Sequence, residues 1–320
     1  MRRIAVINQK GGVGKTTSAV NLGGALAARQ QRVLLIDLDP QAHLTVNLGV
    51  DPAANETTAY EVLTRTAGAA EATLHVRENI WLIPGHNDLV SAEAQLVGVS
   101  GREVILREAL QAAGEAYDFV LIDCPPSLGN LSINALAAVD EVFIPLQPHF
   151  LALQGLAELL KTVSLVQVRV NAGLHVSGVI LCLYEAGTRL AGEVADDVRR
   201  FLAAARDSDV PWRRARVFET IIRRNIKLAE APSQGMTILD YDPRSNGAQD
   251  YNRLADEVLA MTADENPATA DADNGDRGTP EAAPTGAEAA AERVPPAAPE
   301  LTPALDNQAE PRQESVSHIA

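Results

Sequence analysis

A short apolar run near the start of the chain is followed at once by a glycine-rich segment and then by a helical pattern. Residues 4–8 predict a strand, residues 10–17 read Lys-Gly-Gly-Val-Gly-Lys-Thr-Thr, and residues 16–28 predict a helix. Glycines let the backbone curl so that several N–H groups point at one anion, and the N-terminus of the helix adds a favourable dipole. This order of strand, glycine loop and helix therefore predicts an open α/β fold that binds a phosphate group.

The loop matches the phosphate-binding pattern G-x-x-x-x-G-K-[ST] only with a shift. The first glycine of the pattern is expected at position 9, where Gln9 stands, but Gly14, Lys15 and Thr16 fill its last three positions. In such a loop Lys15 reaches the β- and γ-phosphates and the Thr16 hydroxyl ligates Mg²⁺. We therefore predict that the chain binds ATP and Mg²⁺; the alternative is a glycine-rich turn with two solvated lysines. The loop residues predicted to bind the nucleotide are Gly11, Gly12, Val13, Gly14, Lys15, Thr16 and Thr17.

Short β-branched runs alternate with helical patterns along the first 262 residues. Further strands are predicted at 33–37, 80–84, 119–123, 142–146 and 176–183, and further helices at 102–116, 128–138, 151–170, 192–205 and 247–262. Several strands are apolar almost throughout, as expected of parallel strands that are covered on both faces. The sequence therefore predicts the α/β class, with a doubly wound, mostly parallel sheet flanked by helices and ligands outside the carboxyl ends of its strands.

Acidic residues end two of the predicted strands. The second strand ends in Asp37-Leu38-Asp39-Pro40, and the apolar strand at 119–123 ends in Asp123, which is the Walker B pattern. Hydrolysis of a nucleotide needs an in-line water, and a carboxylate at a strand end can position it. The alternative for the first segment is an ordinary Asp-Pro turn at the end of a strand.

Lys10, the extra lysine at the front of the loop, makes the segment resemble the deviant Walker A motif of the ParA/MinD superfamily of P-loop NTPases. In that family the lysine crosses a dimer interface and contacts the phosphates of the partner's nucleotide. The resemblance implies that Asp39 handles the attacking water, that Asp37 is a Mg²⁺-side or structural acid, and that Asp123 holds Mg²⁺ through water at the start of a switch II segment. The implied catalytic residues are Lys10, Lys15 and Asp39, and the implied metal residues are Thr16, Asp37 and Asp123.

Further runs resemble the chromosomal ParA/Soj type of partition ATPase, over about residues 2–262. The runs include Ser-Ile-Asn-Ala-Leu from residue 132, Thr-Ile-Ile-Arg-Arg-Asn from residue 220, and Leu-Ala-Glu-Ala-Pro-Ser-Gln-Gly from residue 228. In the family this C-terminal stretch helps to form the adenine pocket, which implies nucleotide-binding roles for Asn225 and Pro232.

Other members of the superfamily differ from this chain in features that the sequence displays. Cys124 and Cys182 lack the placement of the cluster-bridging cysteines of iron-protein reductases, and the C-x-x-C of iron–sulfur scaffold ATPases is absent from the sequence. A MinD-like chain should end in a basic amphipathic helix, and a tyrosine-kinase relative should end in a tyrosine cluster. A plasmid-type ParA should carry a DNA-binding domain before its phosphate loop, which here starts at residue 10.

The formal charge of −15 is distributed unevenly along the 320 residues. Residues 263–320 hold 12 acids, three bases and eight prolines without an aromatic residue, which predicts a disordered acidic tail after an ATPase domain at 1–262. Residues 199–227 instead hold nine bases and three acids. This basic strip predicts non-specific contacts with the backbone of double-stranded DNA; the alternative is a solvated arginine-rich face. The residues predicted to bind DNA are Arg189, Arg223, Arg224 and Lys227, where Arg189 stands two positions after the family's usual arginine.

We therefore expect a cytoplasmic, nucleoid-associated Mg²⁺-ATPase that forms a homodimer with ATP, binds DNA non-specifically and does not bind membranes. The resemblance implies a centromere-binding ParB/Spo0J-type partner that stimulates hydrolysis, and a role in the segregation of a chromosome or plasmid. Two alternatives stay open: an ATPase that positions a protein cargo over the nucleoid, and an ATP-dependent biosynthetic ligase.

Overall fold

The computed structural model of the chain describes residues 1–265, apart from residues 115 and 186. Of the acidic tail predicted at 263–320, residues 263–265 belong to the last helix, and the rest lies outside the described residues. No helix in the described part of the chain is long and apolar enough to cross a membrane.

A single sheet of eight strands forms the centre of the described residues. In chain order the strands are β1 (Arg2–Val6), β2 (Val33–Asp37), β3 (Leu74–Arg77), β4 (Ile80–Ile83), β5 (Phe119–Asp123), β6 (Glu141–Leu146), β7 (His175–Leu181) and β8 (Arg216–Val217). Their order across the sheet is β3-β4-β2-β5-β1-β6-β7-β8, and every neighbouring pair is parallel except β3 with β4. The order reverses direction at β1, so the prediction of a doubly wound, mostly parallel sheet is confirmed.

Helices cover both faces of the sheet. They are α1 (Lys15–Ala27), α2 (His43–Asn47), α3 (Ala59–Leu63), α4 (Leu89–Gln95), α5 (Ile105–Ala113), α6 (Asn130–Ala138), α7 (Ala152–Arg169), α8 (Arg189–Ala204), α9 (Ile226–Glu230), α10 (Ile238–Tyr241) and α11 (Asn246–Glu265). Short 3₁₀ helices lie at Pro52–Ala54, Arg102–Val104 and Ala231–Gln234.

Successive residues of the central strands pack into opposite layers of the core. In β1, Ile4 and Val6 pack with α1 and α11, whereas Ala5 packs on the other face with α6 and α7. All five residues of β2 and all five of β5 are buried. This double burial explains why the strands are apolar throughout, and it leaves only their ends free to carry polar chemistry.

The elements that the sequence did not predict are short, and the two strands among them, β3 and β8, lie at the edges of the sheet. Strand β3 has four residues and β8 has two, which is too few for a period of two to stand out. The predicted helix at 102–116 is shorter, because it starts as a 3₁₀ turn and ends at Gly114, whose φ is 83°. The predicted helix at 192–205 begins three residues earlier, at Arg189.

Candidate nucleotide site

The glycine loop joins the carboxyl end of β1 to the first residue of α1. Gly12 and Gly14 have φ values of 73° and 93°, a left-handed conformation that costs other residues roughly 1–2 kcal/mol. Gly14 is the N-cap residue of α1 and has no side chain that could bond the first N–H groups of the helix. The first N–H groups of a 13-residue helix are therefore available to an anion, as phosphate binding requires.

The two lysines of the loop have different surroundings. Lys15 is only 7% exposed, and its Nζ donates a hydrogen bond to the carbonyl oxygen of Lys10 at 3.3 Å. Lys10 itself is exposed, and its Nζ lies 2.6 Å from Nε2 of His149, the residue that precedes Phe150 before α7. Burial and the Lys10 charge lower the pKa of His149. Lys15 thus faces inward along the loop, while Lys10 lies on the surface.

Asn8 fixes the entry to the loop. Its Nδ2 donates to the carbonyl oxygen of Pro145 in β6 at 2.8 Å, and its Oδ1 accepts from the backbone N–H of Lys10 at 3.0 Å. The side chain is only 6% exposed, so these bonds are shielded from water. Asn8 therefore ties the start of the loop to the neighbouring strand.

Asp37, at the end of β2, is fully buried and well supplied with hydrogen bonds. Its Oδ2 accepts from the N–H and the hydroxyl of Thr45 at 2.9 and 2.7 Å, and its Oδ1 accepts from the N–H of Asp39 at 3.2 Å. Burial raises the pKa of Asp37 to about 6, against the lowering effect of these bonds. Gly85 lies so close that a Cβ there would be 2.8 Å from Cγ of Asp37. Asp37 thus orders the loop that carries Asp39.

Asp123, at the end of β5, is buried without such support. It stands beside Asp37 in the register of two adjacent parallel strands. Within the part of the chain that the structure describes, neither carboxylate oxygen of Asp123 has a hydrogen-bond partner. Burial raises the pKa of Asp123 well above its usual range and the Asp37 charge raises it further, while the Thr16 side chain and the Lys15 ammonium act in the opposite direction.

The donors around Asp123 fit a magnesium ion. A buried carboxylate next to a threonine hydroxyl provides the hard oxygen ligands that Mg²⁺ prefers, and a cation there would relieve the buried negative charge. Among the described residues, no group of three or more His, Cys, Asp or Glu side chains could hold a metal by itself. That fits Mg²⁺, which is usually held by one or two protein ligands together with substrate phosphates and water.

A cleft of about 680 Å³ brings the predicted motifs together. Its walls come from the glycine loop, from the segment after β2 that includes Asp39, and from the two prolines after β5. Asp39 is half-buried there, and its Oδ1 accepts only from the N–H of Gln41, at 3.0 Å, among the described contacts. The predicted residues on these walls are Gly11, Gly12, Gly14, Lys15, Thr16, Thr17 and Asp39.

Three predicted nucleotide residues are not on these walls: Val13, which is only 1% exposed, Asn225 and Pro232. Asn225 caps α9, where its Oδ1 accepts from the N–H of Lys227 at 2.8 Å. Pro232 lies in the 3₁₀ helix that follows α9. Neither is among the described residues that line the cleft, so their adenine-binding role stays a prediction.

Other wall residues were missed because they come from short elements. His43 and Asn47 lie on α2, and Val90 and Glu93 lie on α4, helices of five and seven residues with no strong periodicity. One available signal was Gly129: a Cβ there would overlap Oε1 of Glu93, so this glycine permits α4 to approach the segment after β5. The hydroxyl of Thr45 donates to Asp37 and accepts from the N–H of Gly85 at 2.8 Å. No pattern in the sequence indicated these contacts.

Each of the four residues predicted to bind DNA forms an ion pair with an acid. Arg223 forms an ion pair with Asp250 at 2.6 Å, and Asp250 is only 1% exposed. Arg224 pairs with Glu185 at 2.6 Å, Arg189 pairs with Glu193 at 2.7 Å, and Lys227 pairs with Glu230 at 2.8 Å. Arg224 and Arg189 remain 69% and 92% exposed, whereas Arg223 is held against the body of the protein.

Comparison with known proteins places these motifs in a family context. A family model described as an AAA domain matches residues 1–176. The sporulation initiation inhibitor protein Soj of Bacillus subtilis (strain 168) is 46% identical over 258 residues, which cover 80% of this chain and 98% of that protein. The chromosome-partitioning ATPase Soj of Treponema pallidum (strain Nichols) is 43% identical over 263 residues, covering 81% and 97% of the two chains.

Solved structures with the same fold include nucleotide complexes. The crystal structure of cobyrinic acid a,c-diamide synthase from Mycobacterium smegmatis, with a bound ATP analogue and magnesium, aligns with a TM-score of 0.70 at 36% identity. The alignment covers 83% of this chain and 97% of that one.

Proposed function

Because this chain belongs to the family of Soj and ParA chromosome-partitioning ATPases, we propose that it uses ATP binding and hydrolysis to control its attachment to DNA during segregation. It is an ATPase whose cofactor is Mg²⁺. Of the observations on the site, the convergence of Lys15, Asp39 and the unpartnered Asp123 at one edge of the sheet supports this proposal most directly.

Each group in the cleft has a separate task. The N–H groups of the loop and the buried ammonium of Lys15 bind the β- and γ-phosphates and hold them in one orientation. Asp39, fixed by the loop that Asp37 orders, accepts a hydrogen bond from the attacking water and aligns it with the γ-phosphate. Thr16 and Asp123 would hold Mg²⁺, and Asp37, next to Asp123 in the strand register, would add to the negative charge that the ion balances. When bound, the ion neutralises the charge that develops on the phosphate oxygens.

We further propose that ATP brings two copies of the chain together, with Lys10 of each completing the site of the other. The exposed position of Lys10 supports this, since a lysine that acted in its own site would be expected to turn inward, as Lys15 does. The dimer would bind double-stranded DNA non-specifically at the nucleoid, and a ParB-type centromere-binding protein would stimulate hydrolysis and release it. The proposed DNA residues are Arg189, Arg223, Arg224 and Lys227.

Mixing two inactive variants tests the trans-acting lysine. Lys10→Ala leaves a subunit with its own Asp39 and Lys15, and Asp39→Ala leaves a subunit that binds ATP and still presents Lys10. In a mixed dimer one site is complete, so an equal mixture should recover up to about a quarter of wild-type activity if pairing is random. No recovery above the two separate variants would contradict a role in trans.

The partition role is tested by measuring ATP hydrolysis with and without DNA and a candidate ParB-type protein. We expect hydrolysis without any second substrate, and stimulation when DNA and the ParB-type protein are both present. An unstimulated rate, together with no ATP-dependent retention on DNA, would reject the proposal.

A second candidate is an ATP-dependent biosynthetic ligase, because a structural relative at 36% identity is named cobyrinic acid a,c-diamide synthase. A ligase should hydrolyse ATP only slowly until it receives a carboxylic acid and an amine donor, and DNA should not affect it. A third, the positioning of a protein cargo over the nucleoid, uses the same chemistry. It is distinguished by the gene that lies beside this one, which should not encode a ParB-type protein.

A further inference from the structure

The basic strip of residues 199–227 does not form one surface in the folded chain. Arg199 and Arg200 lie on α8 and pair with Asp196 and Asp197 on the same helix. The last three bases lie beyond the carboxyl end of β7 and also pair with acids, as described above. The remaining four lie at the opposite edge of the sheet, near the first residues of β7 and β8: Arg206, Arg213, Arg214 and Arg216.

These four arginines line a groove of about 1050 Å³, which we call the arginine groove. His175 and Ser177 of β7 and Met261 of α11 also line it. The segment between α8 and β8 is held in place by a bond from the N–H of Val176 to the carbonyl oxygen of Pro211 at 2.9 Å. The positions of the arginines are therefore set by a backbone that is attached to the sheet.

The groove holds cations that the rest of the protein does not neutralise. Arg206, Arg214 and Arg216 have no ion pair with any of the residues that the structure describes, and all three are exposed. Arg213 has only a long contact of 3.6 Å with Asp209, whose side chain is fully exposed. Asp209 is the one acid among the lining residues, so the described groove has a net charge of +3 with His175 neutral.

Unpaired and paired cations differ in what they must give up to bind a phosphate. An arginine in an ion pair must first break that pair, whereas a free arginine exchanges only water and counterions. The groove also lacks the features of a protein-binding surface, because none of the large apolar side chains exposed in the described chain lines it. Protein interfaces typically use aromatic or apolar anchors at their centre.

We propose that the arginine groove is a binding surface for the phosphate backbone of double-stranded DNA, separate from the residues at the carboxyl ends of the strands. This inference rests on the proposed DNA-binding function and locates its strongest contacts. Because no exposed aromatic side chain that could stack on an unpaired base lines the groove, its lining favours the backbone of a duplex over a single strand. It lies at the far edge of the sheet from the nucleotide cleft, so a duplex bound there leaves the cleft open.

The test compares two double variants that each remove two arginine charges. Arg214→Ala/Arg216→Ala removes two unpaired cations from the groove, and Arg199→Ala/Arg200→Ala removes two paired cations from α8. Affinity for a duplex of random sequence is measured with ATP between 50 and 200 mM salt. Because each lost phosphate contact lowers the salt slope by about 0.9, the groove variant should lose at least about tenfold in affinity and roughly two units of slope. The α8 variant should stay within about twofold of wild type.

Two further measurements separate this inference from others. ATP affinity should be unchanged in both variants, and Arg214→Lys/Arg216→Lys should restore most of the DNA affinity, because charge is kept. If the wild-type chain shows no ATP-dependent DNA binding, the proposed function fails. If it binds DNA and the groove variant binds equally well at every salt concentration, only the groove assignment fails.

A polyglutamate of matched charge serves as the competing class of ligand. We expect it to displace DNA weakly compared with unlabelled duplex. If the groove variant instead lost polyglutamate binding and kept DNA binding, the groove would be a site for an acidic protein, and the proposal would be overturned.

Discussion

The two edges of the sheet use charge in opposite ways. At the carboxyl edge, Asp37, Asp123 and Lys15 are buried, and the pKa of Asp123 is raised by the Asp37 charge and lowered by the Lys15 charge. At the amino edge, the arginine groove carries exposed cations that have almost no partners. Buried charges bind a ligand strongly only when the ligand's charges meet them in one geometry. The carboxyl edge is therefore adapted to a ligand of fixed shape. Exposed cations bind a polyanion mainly by releasing its counterions, and this effect is the same at every position along the polymer. The amino edge is therefore adapted to a polymer bound at any position.

Asp39→Ala provides the largest expected change at the carboxyl edge. Loss of the group that orients the attacking water should lower the rate of hydrolysis about 10²- to 10⁴-fold while ATP still binds. The variant should therefore remain on DNA with ATP, which a pull-down with labelled duplex measures. Asp51→Ala, at an exposed turn outside the cleft, is the control. Fast turnover by Asp39→Ala would remove Asp39 from the chemistry.

Lys15→Ala should affect binding rather than turnover. Removal of a buried ammonium from the phosphate loop should weaken ATP binding by about a hundredfold or more, as measured by titration of a fluorescent ATP analogue. Lys161→Ala, an exposed lysine on α7, removes the same charge at the surface and should leave ATP affinity unchanged. Equal losses in the two variants would show that overall charge, rather than the loop, attracts the nucleotide.

Asp123→Asn tests whether the carboxyl edge carries an electrostatic cost when no ligand is bound. The raised pKa of Asp123 means that the folded chain holds this proton more tightly than the unfolded chain does. The contribution of Asp123 to stability is therefore present below its unfolded pKa of roughly 4 and is lost as the pH rises through the folded pKa. At pH 7.5 the variant, without nucleotide, should be more stable than wild type by about 1–3 kcal/mol.

Denaturant unfolding at several pH values measures this difference. The gain should shrink as the pH falls toward 4, because the wild-type carboxyl is then neutral as well. The same variant should lose the stabilisation that Mg²⁺ and ATP together give to wild type. A variant that is less stable than wild type at every pH would contradict the idea that the buried charge of Asp123 destabilises the folded chain.

Arg223 and Arg224, adjacent in the chain, provide the smallest and most selective comparison. Arg223→Ala removes the guanidinium from the buried Asp250 and leaves it only the backbone N–H of residue 223, so the free energy of unfolding should fall by about 1–2 kcal/mol. Arg224→Ala breaks an exposed pair and should change that free energy by less than about 0.5 kcal/mol, while DNA binding weakens moderately and ATP affinity stays the same. Thermal unfolding together with a DNA titration separates the two effects. A stability loss of similar size in both would mean that Glu185 is as important to the fold as Asp250.

The sequence predicted the parts of the site that are continuous in the chain. The strand, the glycine loop and the first helix occupy one short segment, so local patterns were enough to place Lys15 and Thr16. The same holds for the acids at the ends of β2 and β5, because the ends of adjacent parallel strands must meet. The register that sets Asp37 beside Asp123 confirms that these strands end together.

The remaining features depend on contacts between distant residues. Thr45 holds Asp37 only because α2 folds back over the end of β2, and no local pattern announces that contact. Counting charges along residues 199–227 showed a basic strip, but the acids that neutralise part of it come from Glu185 and Asp250, outside the strip. A linear count cannot distinguish a neutralised arginine from a free one.

Strand β7 connects the two edges, and this has a mechanical consequence. Its first residue, His175, lines the arginine groove. Leu183, two residues after the end of the strand, lines the nucleotide cleft. Seven residues of extended chain span roughly 20 Å. If the groove binds DNA as proposed, the part of any pull that lies along β7 would load its parallel ladders to β6 and β8 in shear, with their hydrogen bonds sharing the load. The proposed DNA surface and the nucleotide cleft would then be connected by a single strand at the centre of a continuous parallel ladder, and not by a flexible linker.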